Sequence, residues 1–183
     1  MAQSENFYTA DILKHCAVIF LLFLTCSCSA SYKNLNNSEL YLADKIDVLT
    51  QDLSRLSDNT DPLESKQIAE KSITCSLQLA DEYGIIRPPY FHNILVKTGI
   101  KKRGLCYHWA DDLYKELSAL DLKSFDIHLG ISRKGNILRE HNCVVITARG
   151  QDFKDGIILD SWRHSGLLYW APVKTDKYPW EKL

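Results

Sequence analysis

RGLCYHWADDLYKELSAL, residues 103–120, places a cysteine at the start of a helical pattern. Apolar residues in this segment recur at steps of four and three, and charged residues occupy positions on the opposite face. The apolar stripe consists of Leu105, Trp109, Ala110, Leu113, Leu117 and Leu120. Such spacing predicts an amphipathic helix with one face turned towards a core. Cys106 falls in the first turn of this helix.

Cys106 occupies a position that favours a reactive thiol. The first turn of a helix has unpaired backbone N–H groups, and the helix dipole favours a negative charge there. A thiol in that position ionises more easily than a free cysteine, whose pKa is about 8.5. Tyr107 and Trp109 are expected to wall the site beside it. The alternative is that Cys106 is a small apolar core residue, as free cysteines often are.

The composition is that of one globular domain with a leader. The chain has 183 residues, of which 45% are hydrophobic and 25% charged, and its formal net charge is −1. The absence of a basic block argues against nucleic acid as a partner. The near-neutral charge predicts no electrostatic steering of a highly charged substrate.

The first residues resemble a bacterial export signal. CAVIFLLFL, residues 16–24, is an apolar run followed by small residues. A membrane-spanning helix needs about 20 residues, so the run fits the apolar part of a signal peptide instead. LTCSC, residues 24–28, resembles the lipobox of bacterial lipoproteins. The resemblance implies lipidation at Cys28, which follows Ser27, with Cys26 as the alternative.

The lipobox resemblance also implies a location. Ser29, directly after Cys28, implies sorting to the outer membrane. The expected organisation is a signal peptide at 1–27, a tether at 28–37 and one domain at 38–183. The mature chain is then held in the bacterial cell envelope by its lipid, faces the periplasm, and has the membrane as a partner.

Three cysteines remain beyond the anchor, namely Cys75, Cys106 and Cys143. In an oxidising compartment an odd number leaves at least one thiol unpaired. A disulfide between Cys75 and Cys143 is one pairing that the sequence leaves open.

Helical spacing dominates the first half of the domain. Residues 38–57 have an apolar stripe, and a second helix opens with an Asp61 cap and Pro62 and should end near Gly84. Prolines at 88 and 89 break the pattern, and a short apolar piece follows at 94–96.

Alternation of apolar and polar residues replaces helical spacing after residue 120. It predicts four strands, at residues 125–132, 141–148, 157–162 and 167–173. Helices followed by an antiparallel meander make the fold class α+β, with a helical part at 38–84 and a core at 85–175.

Cys106, His141 and Asp160 are the residue types of a nucleophile, a base and an orienting carboxylate. His141 opens the second predicted strand and Asp160 lies in the third, so a hairpin brings both to one rim of the sheet. A helix packed on that sheet, with its N-terminus at the rim, adds Cys106. Taken singly, His141 could bond a backbone carbonyl and Asp160 could cap the turn before Trp162.

The motifs at these positions resemble the transglutaminase-like branch of the papain-like fold. They are GLCYHWA at 104–110, His141 at a strand start and LDSW at 159–162. The resemblance implies a cysteine-bearing helix packed on an antiparallel sheet, a peptide or protein substrate, and no cofactor. It implies that Cys106 attacks an acyl carbon, His141 shuttles its proton and Asp160 holds the imidazole.

The function implied by this resemblance is that of a thiol-dependent amide hydrolase or acyl transferase. Inactive relatives occur in the same superfamily, so a lipid-anchored binding domain without turnover is the alternative. Four residues are candidates for substrate contact: Tyr107, Trp109, Trp162 and Asn93.

One departure from the papain-like pattern concerns the oxyanion hole. Papain-like peptidases place a Gln a few residues before the nucleophile, and residues 99–104 contain none. Asn93 or His92 could substitute for it, beside the backbone N–H of Cys106.

Zinc binding is an alternative interpretation of the cysteines and histidines. Two segments each place a Cys and a His two positions apart, and these are residue types that bind zinc: Cys106 with His108, and His141 with Cys143. Residues two apart on a helix point about 200° from each other, so Cys106 and His108 converge poorly. The sequence therefore favours the triad, with no metal.

Overall fold

The computed structural model describes residues 39–136 and 138–183. The expected signal peptide at 1–27, the tether at 28–37 and the lipidation candidates Cys26 and Cys28 lie outside the described residues. Within the described residues, no helix is both long enough and apolar enough to cross a membrane.

Helices occupy the first half of the described chain and strands the second. The helices are α1 (Glu39–Ser54), α2 (Pro62–Glu82), α3 (Pro89–Lys97) and α4 (Cys106–Ser118). The strands are β1 (Phe125–Ser132), β2 (His141–Ala148), β3 (Ile157–Asp160), β4 (Tyr169–Pro172) and β5 (Trp180–Lys182). A 3₁₀ turn, Phe153–Asp155, precedes β3. The predicted α+β class is confirmed.

The start of α2 follows its sequence signature. The Asp61 carboxylate accepts hydrogen bonds from the backbone N–H groups of Leu63 (2.7 Å) and Glu64 (3.4 Å), and Pro62 occupies the first helical position. These contacts satisfy N–H groups that have no partner within the helix. The helix packs against α1 and α4.

Helix α3 was not predicted from the sequence. The two prolines that were interpreted as a break lie at its N-terminus, where a missing N–H removes no helical hydrogen bond. Its apolar side chains Tyr90, Phe91 and Ile94 are exposed, and only His92 is buried. A helix without a buried stripe has no periodicity to detect.

The five strands form one antiparallel sheet in the order β4-β3-β2-β1-β5. Strands β1 and β2 have the predicted bounds, whereas β3 and β4 are shorter than predicted. The three-residue strand β5 was missed, and it returns to the free edge of β1. Helix α4 packs on β1 and β2, with Trp109, Leu113 and Leu117 buried. A helix that begins with the cysteine thus lies on the central strands.

Candidate functional site

His141 and Asp160 meet at one rim of the sheet. Val144 pairs with Leu159 across β2 and β3, so Asp160 lies diagonally across from His141 on the same face. The imidazole Nε2 lies 2.6 Å from the Asp160 Oδ2, and the two side chains are 4% and 1% exposed. The hairpin therefore makes the contact that the strand order predicted.

Cys106 completes the group from the first position of α4. Its thiol is partly exposed and lies 3.6 Å from the Asn142 Oδ1 and 3.8 Å from the Glu140 carbonyl oxygen, on either side of His141. Cys106 and His141 line the same cleft. Because Nε2 is bonded to Asp160, Nδ1 is the ring nitrogen that remains for the thiol.

The surroundings of His141 favour its charged form. Burial alone lowers the pKa of an imidazole, but the Asp160 carboxylate and the Cys106 thiol outweigh it and raise the pKa of His141 to about 9. Burial raises the pKa of the Asp160 carboxyl, but the charges of His141 and Arg163 outweigh it and hold this pKa below its usual value. The pair is therefore an imidazolium and a carboxylate at neutral pH.

A second buried ion pair supports Asp160, and the sequence did not reveal it. The Arg163 Nε donates to the Asp160 Oδ2 at 2.9 Å, while its two terminal nitrogens donate to both Asp176 oxygens at 2.7 and 3.0 Å. Asp176 also accepts from the Trp180 indole at 2.8 Å. Its pKa is lowered because the Arg163 and Trp180 hydrogen bonds outweigh the effect of burial. The signal in the sequence was an Asp-x-x-Arg turn.

Aromatic rings enclose the His141 imidazole. The ring centroids of Trp162, Tyr178 and Trp180 lie 4.8, 4.9 and 5.4 Å from it. These contacts fix the plane of the imidazole and keep water from the Asp160 contact. Trp162, predicted to contact substrate, lines the cleft and packs on the His141 imidazole.

The turn before Cys106 is built around Gly104. Its φ is +123°, and a Cβ there would lie 2.4 Å from the His92 Nε2. His92 is buried, accepts from the Ile86 N–H at 3.2 Å and bonds the Arg103 carbonyl through Nε2 at 2.9 Å. Because both ring nitrogens of His92 are engaged, it does not substitute for the missing Gln as an oxyanion donor. It holds the turn instead.

The expectation that Trp109 walls the site was wrong. Trp109 is 1% exposed, its indole donates to the Gly104 carbonyl at 3.0 Å, and its ring packs edge-on against Tyr83. Three residues after Cys106, the helix has turned this side chain into the core. Tyr107 does line the cleft and is 45% exposed.

Asn93 lines the cleft that contains the thiol and has an amide donor. Its Oδ1 accepts from the Trp162 indole at 3.0 Å, and its amide NH₂ has no partner among the described residues. The backbone N–H of Cys106 likewise has no acceptor in the described part of the chain. Asn93 and Cys106 line the same cleft, so both N–H donors belong to its lining residues.

The cleft around Cys106 has a volume of about 660 Å³ and is open to solvent. Its apolar walls come from α3, from the start of α4 and from the loops of the sheet. They include Tyr90, Ile94, Leu105, Tyr107, Leu138, Trp162 and Tyr178. Such a cleft can seat an extended chain with its acyl carbon over the thiol.

The other cysteines are buried thiols without a disulfide. Cys75 and Cys143 are both free, so the bridge between them that the sequence left open is not formed. Burial raises the pKa of Cys75 to about 11 and that of Cys143 well above its usual value. Both therefore remain protonated at neutral pH.

The four zinc candidates do not converge. His108 turns back on its own helix, where its Nδ1 accepts from the backbone N–H groups of Gly104 and Leu105. Cys143 lies in the apolar core. Across residues 39–136 and 138–183, no group of three or more His, Cys, Asp or Glu side chains could hold a metal ion.

Comparison with protein-family models, with curated proteins and with solved structures gives no match for this chain.

Proposed function

We propose that the protein is a cysteine-dependent amide hydrolase or acyl transferase with a transglutaminase-like, papain-like core. The observation that carries the proposal is a helix-start thiol that shares one cleft with an imidazole whose Nε2 lies 2.6 Å from a buried carboxylate. Nucleophile, base and orienting group occur in the order and contacts that thiol acyl transfer needs. The open cleft above Cys106 supplies room for a peptide.

The chemical steps use groups that are already in place. The Cys106 sulfur attacks the acyl carbon as a thiolate, and the proton that it gave up is held by the His141 imidazolium. The oxyanion that forms is stabilised by the Asn93 amide and the Cys106 N–H. The amide C–N bond breaks, the amine leaves with the proton from His141, and a thioester remains. Water then gives hydrolysis, whereas a second amine gives transfer.

The proposed location follows from the lipobox resemblance. A lipid on Cys28, or on Cys26, would hold the domain at a bacterial envelope membrane with the cleft facing the periplasm. Growth with labelled fatty acid should label the wild type and leave Cys28→Ser unlabelled. Loss of label in Cys26→Ser alone would move the site by two residues, and label in neither protein would contradict the anchor.

A generic activated ester tests acyl transfer without knowledge of the substrate. With p-nitrophenyl acetate, the wild type should release p-nitrophenolate over many turnovers, and mass spectrometry should find an acetyl group on Cys106 during turnover. Cys106→Ser should do neither. Stoichiometric acetylation of Cys106 without turnover would instead favour the inactive binding domain and contradict the proposed activity.

A further inference from the structure

The cleft around Cys106 carries a local excess of positive charge. Lys97 at the end of α3, and Arg133 and Arg139 in the connection between β1 and β2, line it together. Glu140 is the one carboxylate among the described lining residues that is exposed, and it accepts from the Gly135 N–H at 2.7 Å. The near-neutral charge of the whole chain predicted no electrostatic steering of a highly charged substrate. The side chains around the cleft, however, carry more positive than negative charge.

These three cations lack the carboxylate partners that several arginines elsewhere in the domain have. Arg103, Arg149 and Arg163 each bond a carboxylate.

Lys97, Arg133 and Arg139 form no ion pair with any carboxylate of the described residues. The Arg133 guanidinium lies 5.5 Å from the centre of the Tyr178 ring, which stands beside His141. All three side chains are exposed in the cleft. They are therefore free to bind an anion that enters with a substrate.

We propose that the cleft accepts an acyl donor that carries a carboxylate close to the scissile carbonyl, as an acidic peptide does. This inference rests on the proposed function. Guanidinium groups bind carboxylates through paired hydrogen bonds, and peptides are the amides whose usual anionic group is a carboxylate. Ile94 and Leu138 supply exposed apolar surface in the same cleft, so an apolar residue next to the acidic one fits it.

Two alkylating reagents of nearly equal size isolate the charge preference. Iodoacetate carries a carboxylate and iodoacetamide a neutral amide, and both react when a Cys106 S–C bond forms, the C–I bond breaks and iodide leaves. Because the same thiolate attacks both reagents, the ratio of their rate constants does not depend on the fraction of thiol that is ionised. Normalised to the ratio for a small free thiol, the wild-type ratio should favour iodoacetate and should fall as salt is added.

Removal of the three cations should lower this ratio. The triple variant Lys97→Gln/Arg133→Gln/Arg139→Gln should lose roughly tenfold in the normalised ratio at low ionic strength. Lys115→Gln removes one positive charge from an exposed position roughly 13 Å from Cys106 along α4, and it should leave the ratio unchanged.

Two results would overturn the inference in distinguishable ways. If Cys106 reacts readily with iodoacetamide but shows no preference for iodoacetate in the wild type, or the same ratio in the triple variant, the substrate inference fails and the proposed function stands. If native Cys106 reacts with neither reagent, the proposed function fails and the substrate inference fails with it.

Discussion

Asp160 has two functions that the sequence presented as alternatives. Its Oδ1 accepts from the Arg163 backbone N–H at 3.0 Å, so it does cap the turn before Trp162 and Arg163. Its Oδ2 contacts both the His141 Nε2 and the Arg163 Nε. Loss of the Asp160 side chain should therefore lower the stability of the domain, because the carboxylate joins two buried cations.

Asp160→Ala should destabilise the domain by about 3 kcal/mol or more, since breaking a buried ion pair leaves an uncompensated charge. Urea unfolding of wild type and variant measures the difference. Asp121→Ala is the matched control, because Asp121 is 87% exposed and an exposed pair contributes at most about 1 kcal/mol. Equal costs at the two positions would contradict a buried charge network.

Asn93→Ala tests the oxyanion donor. Alkylation by iodoacetamide forms no oxyanion, so its rate at Cys106 should stay close to that of the wild type. Turnover of p-nitrophenyl acetate should fall roughly 10²-fold, the usual cost of one lost donor. A parallel loss of both rates would show that Asn93 acts only through the position of Cys106, and unchanged turnover would remove it from the site.

At the scale of elements, the sequence predicted what local rules determine. The Asp61 cap, the stripe of α4 and the alternation of β1 and β2 each predicted an element that is present. Helix α3 and strand β5 escaped prediction because neither is defined by a local pattern. The apolar residues of α3 face solvent and the cleft, and β5 has three residues that are held by pairing with β1.

Two glycines in the segment before α4 allow a test of the contact between Gly104 and His92. Gly99 and Gly104 both have positive φ, but a Cβ at Gly99 meets no atom within 4 Å, whereas one at Gly104 meets the His92 ring. Gly99→Ala should therefore cost about 1 kcal/mol from backbone strain alone. Gly104→Ala should cost clearly more in urea unfolding and should slow alkylation of Cys106. Equal costs would mean that His92 does not hold the turn.

At the scale of the molecule, the order of the triad along the chain could be read from the sequence. Two strands of a hairpin and one packed helix suffice to bring Cys106, His141 and Asp160 together. The Arg163–Asp176 pair and the charge of the cleft could not be read in this way. The Arg163–Asp176 pair joins segments on either side of β4, and the cations of the cleft come from α3 and from the β1–β2 connection, so no periodicity relates these residues.

The raised pKa of His141 predicts a pH dependence of stability. A histidine whose pKa rises from 6.5 to about 9 on folding adds stability that is fully present below pH 6.5 and is lost as pH rises to about 9. The free energy of unfolding, measured in urea across this range, should fall by up to a few kcal/mol in the wild type. His141→Gln should flatten that dependence.

His128→Gln is the control for this pH series. Burial lowers the pKa of His128, so its substitution should not flatten the fall in stability between pH 6.5 and about 9. A wild-type stability that is constant over the range would contradict the buried imidazolium.

The rate of iodoacetamide alkylation at each cysteine, followed by peptide mass spectrometry as a function of pH, tests the central claim most directly. In the native wild type, Cys106 should react in preference to Cys75 and Cys143, because its thiol is partly exposed and theirs are buried. His141→Gln should move the Cys106 profile to higher pH, because the imidazolium that stabilises the thiolate is gone. A Cys106 that stays inert until denaturant is added, or a profile that the substitution does not move, would contradict the account.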